Sequence, residues 1–220
     1  CRPCSLHGKK KCYRDERYCF ERIDSRTVFN DVREILRVRH QQVPAVFIDR
    51  DGTIIADKNF LSDPDQVEFV DGSVEAIRKL SDSGHKVVII SNQSGVARGY
   101  FGTGVVEKVN RRLMEMLAAH DVFVDAIYYC PHHPKGSVNE FTTRCDCRKP
   151  APGMAEEAAY QLGLDLRKSF VVGDKVDDVN LASVMGAGAF LVRTGYGSEQ
   201  QDIIGGSSFY AGTVVVDNML

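Results

Sequence analysis

The chain has 220 residues, 43% hydrophobic and 26% charged, with a formal net charge of −2 at neutral pH. That length holds one domain of ordinary size with a substantial core, plus at most a small appendage, and needs no disulfide staples. The near-neutral balance points away from a general nucleic-acid or membrane surface. The longest apolar runs, such as Lys86-Val87-Val88-Ile89-Ile90, are strand-length and too short to span a bilayer.

Residues 1–42 differ in texture from the rest. They are rich in Lys, Arg and Cys, and no apolar h-region marks a signal peptide. The start at Cys1 and the ending Asp217-Asn218-Met219-Leu220, which reads like the beginning of an element, suggest that both ends are cut. Val28, Val32, Ile35, Leu36 and Val38 predict a helix over 25–40. From Val43 the chain reads as alternating strands and helices. Val43 to Ile48 is a buried strand and Asp71 to Ser83 a helix stopped by Gly84. Lys86 to Ile90 is a strand, Val105 to His120 a helix, Val122 to Tyr129 a strand. Met154 to Leu162 is a helix closed by Gly163; Ser169 to Val172 and Ala189 to Val192 are strands. There are no internal repeats.

This alternation predicts an α/β fold: a Rossmann-like, mostly parallel sheet flanked by helices. Such sheets bind ligands at the carboxyl ends of their strands. Every polar cluster falls there: Asp49-Arg50-Asp51-Gly52-Thr53, Ser91-Asn92-Gln93-Ser94-Gly95, the stretch from Cys130, and Gly173-Asp174-Lys175-Val176-Asp177-Asp178. Asp49, Asp51 and Asp174 would converge, and carboxylates packed together repel unless a cation joins them. A hard dication bound by oxygens, Mg²⁺ beside phosphates, resolves that repulsion. Lys149 and Lys175 add positive charge, and Ser91 with the following loop amides can donate to phosphate oxygens. The set suits phosphoryl transfer. Asp177 reads as a solvated carboxylate at a helix start.

Seven cysteines are an odd number, which argues against a complete disulfide framework. Cys130, Cys145 and Cys147 form one group, with His132 or His133 as a fourth ligand. Residues two apart in an extended chain project to one side. Cys130 with His132, and Cys145 with Cys147, are such pairs. Two pairs joined by a loop can surround a structural zinc ion; a disulfide or free thiols is the other reading. Zinc would act as scaffold, fixing the long loop that carries Arg148 and Lys149. His7, His40, His85 and His120 read as surface residues, and His133 as a loop residue or a ring near the substrate. Cys1, Cys4, Cys12 and Cys19 could hold a second metal. The reading favoured over that is a fused or spurious extension.

In order along the chain, Asp49-Arg50-Asp51-Gly52-Thr53, Ser91, Lys149, and Gly173-Asp174 with Asp178 resemble the four motifs of haloacid-dehalogenase-like phosphatases. The resemblance implies that Asp49 attacks phosphorus and forms an aspartyl phosphate, while Asp51 serves as acid and then base. It implies that Ser91 and Lys149 hold the phosphoryl group. Mg²⁺ would bind Asp49, the Asp51 carbonyl and Asp174, with Asp178 supporting from behind. Only 39 residues separate Asp51 from Ser91, so no large cap domain is inserted.

The long form Cys130-Pro131-His132-His133-Pro134 through Cys145-Asp146-Cys147-Arg148-Lys149-Pro150 resembles the D-glycero-D-manno-heptose 1,7-bisphosphate 7-phosphatase subfamily. So does Asn92-Gln93-Ser94-Gly95-Val96-Ala97-Arg98-Gly99. The resemblance covers about residues 43–197 strongly. It implies a cytoplasmic phosphatase domain over 43–220 that removes the C7 phosphate of a small sugar bisphosphate. That step leads to nucleotide-activated heptose for surface lipopolysaccharide. It places Asp57, Lys58, Asn59, Phe60, Asn92, Gln93, Ser94, Arg148 and Lys175 at the substrate, and Cys130, His132, Cys145 and Cys147 at zinc. The family often has Thr where Ser91 stands and Gly-Tyr where Asn59-Phe60 stands. Histidinol-phosphate phosphatase, or another small sugar-phosphate phosphatase, is the alternative. A monomer is expected, with no nucleic-acid or membrane partner.

Overall fold

The structure, a computed structural model, describes residues 25–40 and 42–220, apart from the side chains of residues 33–40 and Phe209. Cys1, Cys4, Cys12 and Cys19 lie outside the described residues. The chain divides into two units, residues 1–42 and 43–220. In the first, α1 spans Ser25–His40, the span that its apolar spacing predicts.

The second unit alternates strand and helix. Its elements are β1 (Ala45–Ile48), α2 (Ser73–Asp82), β2 (Lys86–Asn92), α3 (Thr103–Ala118) and β3 (Ala126–Cys130). Then follow α4 (Gly153–Leu162), β4 (Phe170–Gly173), α5 (Val176–Met185), β5 (Gly188–Val192), α6 (Gly197–Gly205) and β6 (Val214–Val216). All strand pairs are parallel, in the order β3-β2-β1-β4-β5-β6. Parallel strands need crossovers, and the helices supply them, covering both faces.

The period-two alternation of each strand sorts the core into two layers. Val46, Ile48, Val87 and Ile89 pack with Ile77 of α2 and Val109, Leu113 and Leu117 of α3. Ala45, Phe47, Val88 and Ile90 pack with Met154, Ala155 and Ala158 of α4 and Leu181, Ala182 and Met185 of α5.

Besides shifts of about two residues at the ends of β1, β2 and α3, the elements depart from the sequence expectations as follows. β3 begins at Ala126, not Val122. Val122 N–H closes the end of α3 on the Leu117 carbonyl, and the Asp125 carboxylate takes the Val87 N–H at 2.8 Å. α6 and β6 were not expected, because three valines and a helix with two adjacent isoleucines show no resolvable period. α5, expected only as a helix start near Asp177, buries Asp178, Val179, Leu181, Ala182 and Met185, so it has no polar stripe to betray its pitch.

From β1 the chain runs outward through β2 to β3, then returns to the other side of β1 for β4, β5 and β6. The order reverses between β1 and β4. The crevice above their carboxyl ends is where an open α/β sheet binds its ligand.

Candidate active site

Asp49 leaves β1 and Asp174 leaves β4 on either side of that crevice. Asp49, Asp174 and Asp178 are buried, with carboxylate oxygens within 4.8 Å of one another. Lys149 reaches in from the long loop. Its ammonium lies 2.6 Å from Asp49 Oδ1 and 2.7 Å from Asp178 Oδ1, and donates to the Ile90 carbonyl at 2.9 Å. Asn92 clamps the Lys149 backbone both ways, accepting from its N–H and donating to its carbonyl, each at 3.0 Å. So Asp178, like Asp49, is a direct ion partner of Lys149.

Asp174 is fully buried in a slot between Gly52 and Gly195, where a Cβ at either position would run into its carboxylate. Gly52 also needs its φ of 87° for the turn after β1. Oδ2 of Asp174 accepts from the Tyr196 N–H at 2.9 Å, while Oδ1 has no hydrogen bond and the Lys175 ammonium stands 3.4 Å from it. A buried carboxylate oxygen without a hydrogen bond is costly. A crowd of hard oxygens with one such atom fits a Mg²⁺-type cation.

Burial opposes charge on Asp49, but the Lys149 and Lys175 ammoniums beside it outweigh burial and hold its carboxyl below the usual range. Burial, reinforced by Asp49, pushes Asp174 up to about 7. Burial likewise pushes Asp178 up to about 6, against the pull of Lys149. Burial opposes charge on Lys149, and Asp178 and Asp49 reverse it, raising the ammonium's pKa.

A stability prediction follows. Without a cation, the folded protein keeps the Asp174 proton up to about pH 7, whereas the unfolded chain releases it near pH 4. Between those values the folded state binds more protons, so this contribution is full below the lower pH and is lost as pH rises through the upper one. Mg²⁺ held by Asp174 would relieve the loss. The rise in Tm on adding Mg²⁺ to metal-free protein is therefore expected to be larger at about pH 8 than at about pH 5.5. Equal rises would remove Asp174 from the cation site.

Asp51 faces the crevice beside this cluster. Its Oδ2 accepts from Gln93 Nε2 at 2.7 Å and from the Arg50 guanidinium at 2.8 Å; Ser91 Oγ stands 3.4 Å away. Ser91 in turn receives Gln93 Nε2 at 2.8 Å. The crevice is a cavity of about 240 Å³. Asp49, Asp51, Asp57, Asn59, Phe60, Ser91, Asn92, Gln93, Ser94, Arg148, Lys149 and Lys175, all named from sequence, line it. Lys58 does not. Its side chain pairs with Glu68 at 2.8 Å instead. Asp177, expected in solvent, is half-buried at the cavity wall.

Sequence reasoning missed Tyr196. It follows β5, at the same sheet edge as every other cluster, and the edge rule applied to Arg193-Thr194-Gly195-Tyr196 would have found it. Its hydroxyl lies 3.0 Å from Asn59 Oδ1, and its ring lies 4.8 Å from the Lys175 ammonium. Asn59 and Phe60 both have positive φ, 51° and 67°, unusual for residues other than glycine. Tyr196 thus ties the 57–61 segment to the loop after β4.

In the long loop, Cys130, His132, Cys145 and Cys147 place their ligand atoms within 4.8 Å of one another. The three thiols are free. Sulfur separations of 2.9, 3.3 and 3.5 Å are too long for a disulfide, about 2.05 Å, so the disulfide reading is set aside. Nδ1 of His132 lies 3.3 Å from Cys147 Sγ. Three sulfurs and one imidazole around a common point fit a closed, zinc-type tetrahedron. His133 is outside both sites: its Nδ1 accepts from Lys135 N–H, and Arg98 Nη2 lies 3.4 Å from its Nε2. Burial, then Arg148 and Arg98, lower its pKa.

A parallel sheet with two acids one residue apart after β1, a hydroxyl after β2, a lysine before α4 and an acid after β4 defines a haloacid-dehalogenase-like phosphatase. A family described as HAD-hydrolase-like matches residues 146–219. The D-glycero-β-D-manno-heptose-1,7-bisphosphate 7-phosphatase of Escherichia coli (strain K12) is 47% identical over 156 residues, 70% of this chain and 82% of that protein. The enzyme of the same name from Salmonella typhi is 46% identical over 156 residues, 70% of this chain and 83% of that protein. The structure of D,D-heptose 1,7-bisphosphate phosphatase from B. bronchiseptica, complexed with magnesium and phosphate, is 33% identical with a TM-score of 0.70. The match covers 80% of this chain and 94% of that one. The chain belongs to the heptose-1,7-bisphosphate 7-phosphatase family of haloacid-dehalogenase-like hydrolases.

Proposed function

We propose that residues 43–220 form a phosphatase that removes the C7 phosphate of D-glycero-β-D-manno-heptose 1,7-bisphosphate, in the synthesis of nucleotide-activated heptose. The 47% identity across 82% of the E. coli enzyme carries this reading. The β anomer is the one in that relative's name.

The Asp49 carboxylate attacks phosphorus and the bond to the C7 oxygen breaks; the departing oxygen takes the Asp51 proton. Water then attacks phosphorus and gives a proton to Asp51. The aspartyl bond breaks, releasing inorganic phosphate and restoring Asp49. Lys149, Ser91 and the amides after β2 hold the phosphoryl oxygens. Asp49, Asp174 and the Asp51 carbonyl would hold Mg²⁺, which supplies positive charge against those oxygens. Asp57, Asn59, Phe60, Asn92, Gln93, Ser94, Arg148 and Lys175 form the wall that meets the sugar. Cys130, His132, Cys145 and Cys147 would hold zinc, fixing the loop that carries Arg148 and Lys149. The reading takes the enzyme as a monomer. No helix among the described residues is long and apolar enough to cross a membrane. The free thiols suit the reducing cytoplasm, where we place the reaction.

The test is phosphate release with Mg²⁺ from the α and β anomers, with histidinol phosphate alongside. Faster release from the β anomer than from either alternative is expected. Preference for histidinol phosphate would overturn the substrate and leave the chemistry.

A further inference from the structure

Asn110 is a polar residue on the apolar stripe of α3, between Val106, Val109, Leu113 and Leu117. It is only 7% exposed. Nothing in its helix explains an amide on that face. Its Oδ1 accepts from Arg50 Nη1 at 2.6 Å. Arg50, between Asp49 and Asp51, is itself 1% exposed, the largest fully buried side chain among the described residues. Its other nitrogens grip Asp51: Nε to Oδ2 at 3.1 Å, Nη2 to Oδ1 at 3.0 Å and to Oδ2 at 2.8 Å. A buried guanidinium needs partners for its donors, and these two side chains are the ones it has.

We propose that Asn110 is a positioning residue for the proton transfer of Asp51, acting through Arg50. This rests on the reading of Asp49 and Asp51 given above. Asp51 must meet the leaving oxygen and then the water, so its contacts with Arg50 must loosen and reform in each cycle. Asp51 alone would be a poor anchor for Arg50, because it is the group that moves. Asn110 sits on a helix packed into the core and does not take part in the chemistry. It holds one arm of the guanidinium while the other is exchanged. Gln93 also donates to Asp51 Oδ2, at 2.7 Å.

The chemistry separates this role from a merely structural one. A heptose C7 oxygen is a poor leaving group and needs the Asp51 proton. Nitrophenolate leaves without one, so its first release reports attack by Asp49 alone. Asn110→Leu keeps the size of the side chain and removes the acceptor; Asn110→Asp keeps an acceptor for Arg50. A positioned general acid contributes 10²–10⁴-fold, so Asn110→Leu is expected to slow heptose-bisphosphate turnover roughly 10- to 100-fold with little change in KM. Release of the first nitrophenolate from p-nitrophenyl phosphate, with enzyme in excess, stays at the wild-type rate. Asn110→Asp recovers most of the turnover. Asn110→Ala, which leaves a void, gives the same pattern where the leucine variant does not fold. Wild-type heptose turnover in the leucine or alanine variant overturns the proposal. So does equal loss on both phosphates in the leucine and aspartate variants, which would make Asn110 a packing residue. Nitrophenolate release that survives Asp49→Asn in the otherwise unaltered protein would instead defeat the nucleophile on which the proposal stands.

Discussion

Asp49→Asn is expected to lower phosphate release by roughly 10⁴-fold or more, because an amide cannot form the acyl phosphate through which the two steps run. The substitution is nearly isosteric at a buried position, and Lys149 keeps Asp178 at 2.7 Å. It also removes a charge that the Lys149 and Lys175 ammoniums favour in the folded state, so the metal-free Tm is expected to fall modestly at neutral pH. The checks are steady-state phosphate release, and acid quenching followed by intact mass. Wild-type protein caught with substrate gains one phosphoryl group, and the variant gains none. A variant that retained a hundredth of wild-type turnover would show that phosphorus is attacked by some other group, such as water.

Loss of a cysteine from the loop cluster should have the next largest effect. Between β3 and α4 the chain has no regular helix or strand, and the ligand atoms of Cys130, His132, Cys145 and Cys147 lie within 4.8 Å of one another. Cys147 is two residues before Lys149, whose ammonium bridges Asp49 and Asp178. Displacing such a group by about 1 Å costs on the order of 10²-fold in rate. On the proposed zinc reading, Cys147→Ser is therefore expected to hold less zinc than the wild type, drop kcat/KM on the order of 10²-fold, and melt several degrees lower. Elemental analysis, kinetics and thermal unfolding read the three effects. Cys145→Ser should do the same, because it empties the same tetrahedron. A zinc-free Cys147→Ser protein with wild-type kcat/KM would show that the cluster does not position Lys149.

The carboxylates of the candidate site were legible because each follows closely on a strand end, and a parallel sheet brings strand ends together whatever the rest of the chain does. Asp49, Asp51 and Asp174 needed only the rule that ligands bind at the carboxyl edge. The cluster of cysteines was legible from spacing, because residues two apart share a side of an extended chain. The 57–61 segment was harder. It has no regular period, so all four residues from Asp57 to Phe60 looked equally placed, and only the backbone turn shows that Lys58 faces Glu68. Tyr196 lay at the right edge, but after a strand whose loop has no acidic residue to draw the eye. Arg50 stood between two acids of evident importance, and nothing local shows where a long guanidinium goes.

The sequence by itself determined the alternation of strands and helices, the edge where chemistry collects, and the kinds of groups found there. Those properties depend on neighbours two to four residues apart, and such neighbours are written in the chain. The tertiary structure alone decided the strand order that opens the crevice between β1 and β4. It decided that Lys149 pairs with Asp178 as well as Asp49. It also decided that an amide 60 positions away, on α3, meets the guanidinium that grips Asp51. Such pairings are set by how helices pack on a twisted sheet, where a buried charge takes whichever partner the packing places within reach.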